Sequence, residues 1–134
     1  MTLAAGDRRS KIVIGVDDEP ENLSLLKSVI EGAGFTFMGT SGGAECITLA
    51  NRAQPRLILL DIQMFPQMDG FETCKKLRIY PQLNIVPIVF LTARKTGEDV
   101  KNCLKAGGND FIVKPFDPVK LIERVEYWVN RRIT

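Results

Sequence analysis

The stretch Leu57-Ile58-Leu59-Leu60-Asp61 decides the fold. Four aliphatic residues in succession leave no polar face, so this is not the alternating pattern of a strand half in water. It is the pattern of a strand in a parallel sheet, covered by helices on both sides. The aspartate then places a charge where the buried run gives way to a loop. The same arrangement recurs on either side. Ile12-Val13-Ile14-Gly15-Val16 runs into Asp17-Asp18, Ile88-Val89-Phe90-Leu91 into Thr92, and Phe111-Ile112-Val113 into Lys114.

Between these runs lie stretches of helical period. Pro20 suits the first turn of a helix, where its missing N–H costs nothing. Leu23, Leu26, Ile30 and Ala33 share one face of that helix, and Gly32 and Gly34 stop it. Phe35-Thr36-Phe37-Met38 reads as a second strand, less aliphatic than the others and so a candidate sheet edge. A helix follows over about 44–53, ended by Pro55. Asp69-Gly70-Phe71-Glu72 has the form of a capping box, with Phe71, Cys74 and Leu77 as the buried stripe behind it. Thr96 caps a fourth helix bearing Val100, Cys103 and Leu104. Asp117-Pro118 opens the last helix, with Val119, Ile122, Val125 and Val129 toward the core. Five strands in strict alternation with five helices predict an α/β protein. The expected architecture is a doubly wound, five-stranded parallel sheet of order 2-1-3-4-5, flavodoxin-like. One domain is expected over 11–132, behind a mobile N-terminal tail over 1–10.

Composition narrows the function. The chain has 134 residues, 45% hydrophobic and 25% charged, with a formal net charge of +2 and charges of both signs interspersed. This balance calls for neither nucleic acid nor an anionic membrane as a direct partner. No run approaches the roughly 18 apolar residues of a transmembrane helix. There is no histidine, which removes catalytic triads, ordinary zinc catalysis and a phosphohistidine carrier role. Cys46, Cys74 and Cys103 are odd in number and form no Cys-x-x-Cys pair, so they read as buried, reduced thiols of a cytoplasmic protein.

In an open parallel sheet, residues just past the carboxyl ends of adjacent strands meet in one crevice. Asp17, Asp18, Asp61, Thr92 and Lys114 are therefore expected together. Each alone has an ordinary reading as a cap, a turn residue or a solvated charge; their joint occurrence at four strand ends does not. Two carboxylates about 4 Å apart repel by roughly 4 kcal/mol at an effective dielectric near 20. Clustering three destabilises the fold unless a cation or raised pKa values relieve it. Lys114 supplies one positive charge, and hard oxygen ligands without histidine point to Mg²⁺ for the rest, for which Mn²⁺ can substitute. A carboxylate can attack activated phosphorus to give an aspartyl phosphate. The transferring group carries charge on three oxygens, and the metal, Lys114 and Thr92 supply one partner for each.

These residues resemble the receiver domain of two-component response regulators. The resemblance spans Lys11 to Arg132. It rests on Val16-Asp17-Asp18-Glu19-Pro20, Leu60-Asp61-Ile62-Gln63-Met64, Met68-Asp69-Gly70, Leu91-Thr92-Ala93 and Val113-Lys114-Pro115-Phe116. It implies Asp61 as phosphoacceptor, with a metal held by Asp17, Asp18, Asp61 and the Gln63 backbone carbonyl, one of the acid pair acting through water. Lys114 would contact the phosphoryl group, and Lys114-Pro115 would be a cis bond. Thr92 and the aromatic at Phe111 would form the switch, while Gln63 and Arg94 would tune aspartyl-phosphate lifetime. A histidine kinase or phosphotransfer protein would be the donor. The face of the fourth helix, fifth strand and fifth helix would serve a partner or a homodimer.

Two departures stand out. Phe65 looks like a one-residue insertion between Met64 and Pro66, which bears on loop shape and partner recognition. Gly15 is unusual within the first strand and is expected to loosen packing behind the acid pair. A module that keeps the fold without being phosphorylated is the alternative of a different class. A small enzyme is the third reading, but the sequence lacks its marks. Asp17 and Asp18 are adjacent, where haloacid-dehalogenase-type phosphatases carry Asp-x-Asp. Gly39-Thr40-Ser41-Gly42-Gly43 is no P-loop, and no Gly-x-Gly-x-x-Gly occurs.

Overall fold

The computed structural model describes residues 11–63, 68–93 and 96–131. The expectations for the 1–10 tail, the Phe65 insertion, Arg94 and Arg132 lie outside the described residues. The elements are β1 (Ile12–Val16), α1 (Pro20–Gly32), β2 (Thr36–Thr40), α2 (Gly43–Ala53), β3 (Leu57–Asp61) and α3 (Gly70–Leu77). A short 3-10 turn (Pro81–Leu83) follows, then β4 (Ile88–Thr92), α4 (Gly97–Lys105), β5 (Asp110–Val113) and α5 (Pro118–Val129). All strands pair in parallel in the order β2-β1-β3-β4-β5, the expected doubly wound sheet.

Strand alternation divides the apolar residues between two cores. Ile14, Val16, Ile58, Leu60, Ile88 and Phe90 pack with Cys46 and Ala50 of α2, Cys74 and Leu77 of α3, and Cys103 of α4. Val13, Leu57, Leu59, Val89 and Leu91 pack on the other face with Leu26 and Ile30 of α1 and Leu121, Val125 and Val129 of α5. The three cysteines are free and buried. Burial pushes the Cys46 thiol up to about 12, and those of Cys74 and Cys103 to about 11.

The structure corrects several details. β2 occupies the sheet edge, as expected, but runs over Thr36–Thr40 because Gly39 and Thr40 pair in register with Gly15 and Val16. Ladder pairing outranks the poor strand propensity of Gly39. Val119 is 64% exposed rather than inward, and Leu104 is 62% exposed. In α5 the buried stripe is Leu121, Val125 and Val129, at a spacing of four, which turns Val119 outward. In α4 only Cys103 is buried, and Leu104, one position on, points away. Gly15 does not leave loose packing. A Cβ there would lie 2.5 Å from the Phe37 ring and 3.2 Å from Leu26, so those side chains fill the space.

Helix ends are fixed where the sequence marks them. Asp69 accepts from the Glu72 N–H at 2.9 Å. The full reciprocal box lies at α4, between Thr96 and Asp99. Arg56, only 1% exposed, donates to the Val129 carbonyl at 2.7 Å and ties the C-terminal end of α5 to the start of β3. Arg78 donates to the Gly107, Leu83 and Val86 carbonyls and to Asn109 Oδ1 at 2.7–3.0 Å. It thus cross-links α3, the 3-10 turn, β4 and the α4–β5 turn.

Candidate functional site

Strand register assembles the site. Val16 pairs with Leu60, so Asp17 and Asp61 follow side by side. Asp61 pairs with Leu91, which puts Thr92 one residue further along the neighbouring strand. Thr92 pairs with Val113, and Lys114 comes next, donating its backbone N–H to the Thr92 carbonyl at 2.7 Å. Oxygen atoms of Asp17, Asp18 and Asp61 lie within 4.8 Å of one another, and this is the only such group of three acidic or metal-ligating residues among the described residues. Asp17 and Asp61 are buried and Asp18 is exposed.

Lys114 stands between the two buried carboxylates, with Nζ 2.9 Å from Asp17 Oδ2 and 3.1 Å from Asp61 Oδ1. Burial works against its ammonium, but the contacts to Asp17 and Asp61 more than offset this and hold its pKa above the ordinary lysine value. Asp61 moves the other way from an ordinary ion-paired acid. Burial, then repulsion from Asp17, pushes its carboxyl up to about 6 despite the pull of Lys114. One ammonium does not neutralise three carboxylates. The donor set is wholly of hard oxygens in a partly open cleft, which fits a small divalent cation.

A cleft of about 230 Å³ opens above these groups, lined by Asp18, Glu19, Asp61, Ile62, Gln63, Thr92, Ala93, Asp99 and Lys114. Asp17, Asp18, Asp61, Gln63, Thr92 and Lys114 thus come together. Phe111 does not join them; it is half-buried beside Phe90 and lines a separate groove along β5 and α5. The Lys114-Pro115 bond is cis.

The backbone closes tightly beneath the cleft. The Gly70 N–H donates to the Ile62 carbonyl at 2.7 Å. A Cβ on Gly70 would stand 2.2 Å from the Asp61 carbonyl oxygen and 2.9 Å from Ile62 Cα. Only glycine lets α3 start this close to the Asp61 backbone.

Residues 13–126 match the response regulator receiver domain family. The chain belongs to that family. As a receiver domain of two-component systems it is a signalling phosphoacceptor rather than a turnover enzyme, with the acidic pocket of Asp17, Asp18 and Asp61 typical of phosphoaccepting regulators. It is 37% identical over 123 residues to the DNA-binding response regulator MtrA of Mycolicibacterium smegmatis, covering 92% of this chain and 52% of that protein. The chain therefore spans about half the length of that relative. Chemotaxis protein CheY4 of Vibrio cholerae superposes with a TM-score of 0.85 at 27% identity, over 89% of this chain and 98% of that one. The receiver domain of sensor histidine kinase PA1611 from Pseudomonas aeruginosa superposes at 0.81 with 28% identity, over 90% and 98% of the two chains. That structure has a magnesium ion coordinated in its active-site cleft. Membership implies a histidine kinase as partner. No helix among the described residues is long and apolar enough to cross a membrane.

Sequence reasoning missed three residues here. Glu19 and Asp99 line the cleft, and Asn22 donates from Nδ2 to Asp17 Oδ2 at 3.1 Å. Glu19 directly follows the acid pair, a signal that was available. Asp99 was concealed by its capping role, accepting from Thr96 Oγ1 at 2.6 Å. Asn22 sits among the polar residues of the first turn of α1 and has no motif to mark it.

Proposed function

We propose that Asp61 is the phosphoacceptor of a Mg²⁺-dependent switch. The observation that carries the reading is the close set of three carboxylates with the Lys114 ammonium 3.1 Å from Asp61 Oδ1. Asp17, Asp18, Asp61 and the Gln63 backbone carbonyl would hold the metal, one of the acid pair through water. Mg²⁺, when bound, neutralises phosphoryl charge; Mn²⁺ has the same ligand preference. An Asp61 carboxylate oxygen attacks the phosphorus of a kinase or phosphotransfer-protein phosphohistidine. The P–O bond forms as the P–N bond breaks, and the imidazole leaves. Lys114 and the Thr92 hydroxyl face the phosphoryl oxygens that gain charge.

The phosphorylated state then draws Thr92 toward the new group, and Phe111 responds at the β5–α5 groove. Phe111 has no hydroxyl to lock either position, so its shift rests on packing alone. The α4–β5–α5 face is the surface on which a downstream partner or a second copy docks, and the protein works in the cytoplasm, a reading that membership of the receiver family supports. Gln63 and Arg94 set the lifetime of the phosphoaspartate.

Incubation with a small acyl phosphate and Mg²⁺ tests the reading by intact mass. One phosphate should add to the wild type and none to Asp61→Asn. Labelling that persists in Asp61→Asn rejects Asp61, and no labelling of the wild type, with no binding of beryllium fluoride, favours a constitutive interaction module.

A further inference from the structure

Asp17 is the most completely buried carboxylate of the site, 0% exposed, yet it meets more donors than its neighbours. Oδ1 accepts from the Glu19 backbone N–H at 3.0 Å. Oδ2 takes both Lys114 Nζ at 2.9 Å and Asn22 Nδ2 at 3.1 Å. These donors come from three places: the β1–α1 turn, the end of β5, and the first turn of α1. The Glu19 donor belongs to the backbone and fixes one oxygen. Lys114 is shared with Asp61 and must be free to follow charge in the cleft. Asn22 alone is a side-chain donor devoted to Asp17. Its own backbone is anchored by a 3.1 Å bond to the Glu19 carbonyl, and helical side chains lean back toward the N-terminus of their helix.

We infer that Asn22 is a positioning residue for the metal site, acting through Asp17. This rests on the reading of the acidic cleft as a Mg²⁺ site. With Asn22 in place the Asp17 carboxylate is held from both ends and keeps one orientation beside Asp18 and Asp61, so it needs no reorganisation when a cation arrives. Without Asn22, Oδ2 depends on Lys114 alone. The carboxylate then swings toward whichever of Lys114 and the cation is nearer. The effect is on metal affinity, and through it on the cation concentration at which Asp61 becomes reactive. The intrinsic reactivity of Asp61 at saturating metal is left intact.

Partners that orient a metal-binding carboxylate from outside the ligand shell are worth about 10- to 100-fold in affinity. Asn22 is one of three donors on Asp17, which places its loss at the lower end. Asn22→Leu removes the donor while keeping the number and branching of the side-chain heavy atoms, Asn22→Gln keeps an amide, and Asn22→Ala stands in should the bulkier leucine variant fail to fold. Mg²⁺ titration by calorimetry on the full chain should show about ten-fold weaker binding for Asn22→Leu and within about three-fold of wild type for Asn22→Gln. The Mg²⁺ concentration for half-maximal phosphorylation by a small acyl phosphate should rise in parallel, with the rate at saturating Mg²⁺ within about two-fold of wild type. A residue that only supports α1 would lower the urea midpoint in EDTA and leave Mg²⁺ affinity unchanged. That result overturns the inference, as does an equal loss of affinity in Asn22→Gln. Wild-type protein that binds no Mg²⁺ at millimolar concentration instead overturns the metal reading, and the inference falls with it.

Discussion

Removing the charge of Asp61 should stabilise the metal-free protein. Asp61 is buried, and its carboxyl is pushed up to about 6 by that burial and by Asp17. In the unfolded chain the group ionises near its ordinary value of 3.8. Between these two pH values the native state holds the proton that the unfolded state has released, so stability falls as pH rises through that window. Above it the loss is complete, and the shift of about two units corresponds to roughly 3 kcal/mol. Asp61→Asn removes the charge, keeps an oxygen that can accept from Lys114, and changes volume little. At pH 8 in EDTA the variant should be about 2–3 kcal/mol more stable than wild type, a shift near 1 M in the urea midpoint for a domain of this size. The gap should close as pH falls toward 4. Added Mg²⁺ should also close it from the other side, because a ligand that binds only the native wild type stabilises it in proportion to the logarithm of its concentration. Urea unfolding followed by far-UV circular dichroism at pH 4, 6 and 8, with and without Mg²⁺, reads all three. Asp61→Asn no more stable than wild type at pH 8 in EDTA would refute the reasoning, as would a gap of the same size at pH 4.

Gly70→Ala sets a Cβ 2.2 Å from the Asp61 carbonyl oxygen, against backbone that cannot turn aside; it should cost about 2–3 kcal/mol and weaken Mg²⁺ binding, whereas Gly15→Ala, which meets only the movable Phe37 ring, should cost less. Both are read by urea midpoint and calorimetry. Arg78→Ala strips bonds from the Gly107, Leu83 and Val86 carbonyls and from Asn109, which should cost about 3 kcal/mol or more while leaving Mg²⁺ affinity within two-fold. The thiols of Cys46, Cys74 and Cys103, pushed up to about 12, 11 and 11, should resist iodoacetamide at pH 8 in the native state and react at a rate that tracks unfolding, as mass spectrometry over a urea series would show.

The sheet was legible because its signal is redundant. Three of its five strands, β1, β3 and β4, are apolar along almost their whole length, and each is followed by a polar residue with a reason to sit at a strand end. Strand order and register then put Asp17, Asp61, Thr92 and Lys114 together without further information, since parallel pairing aligns the carboxyl ends. Helix faces were read less well. Val119 and Leu104 are apolar residues within periodic stretches, but a helix contacts the sheet along a narrow stripe whose phase is set by its deepest residues, here Leu121 in α5 and Cys103 in α4. Hydrophobicity alone does not give that phase. The far end of β2 was hidden because Gly39 and Thr40 resemble a turn until their partners Gly15 and Val16 are known. Asn22 and Asp99 were invisible for another reason: a polar residue in the first turn of a helix is ordinary there, and only the direction of its side chain separates a cap from a member of the site.

That distinction bears on how the cleft works as a unit. Three carboxylates and one ammonium leave the site with two negative charges in excess, the amount one divalent cation would balance. Lys114 keeps the metal-free state folded by dividing itself between Asp17 and Asp61, but it cannot satisfy both and meet a phosphoryl group as well. A cation taking over part of the Asp61 charge would release Lys114 toward the cleft, where incoming phosphoryl oxygens would need it. On the proposed reading, a bound cation would lower the Asp61 pKa, make the carboxylate better populated, and free the ammonium in the same event. A phosphorylated Asp61, more negative than the carboxylate it replaces, would in turn hold the metal more tightly. On this reading the repulsion among Asp17, Asp18 and Asp61 would link folding, metal binding and phosphorylation, with Asn22 and Gly70 holding those groups in the arrangement where the linkage operates.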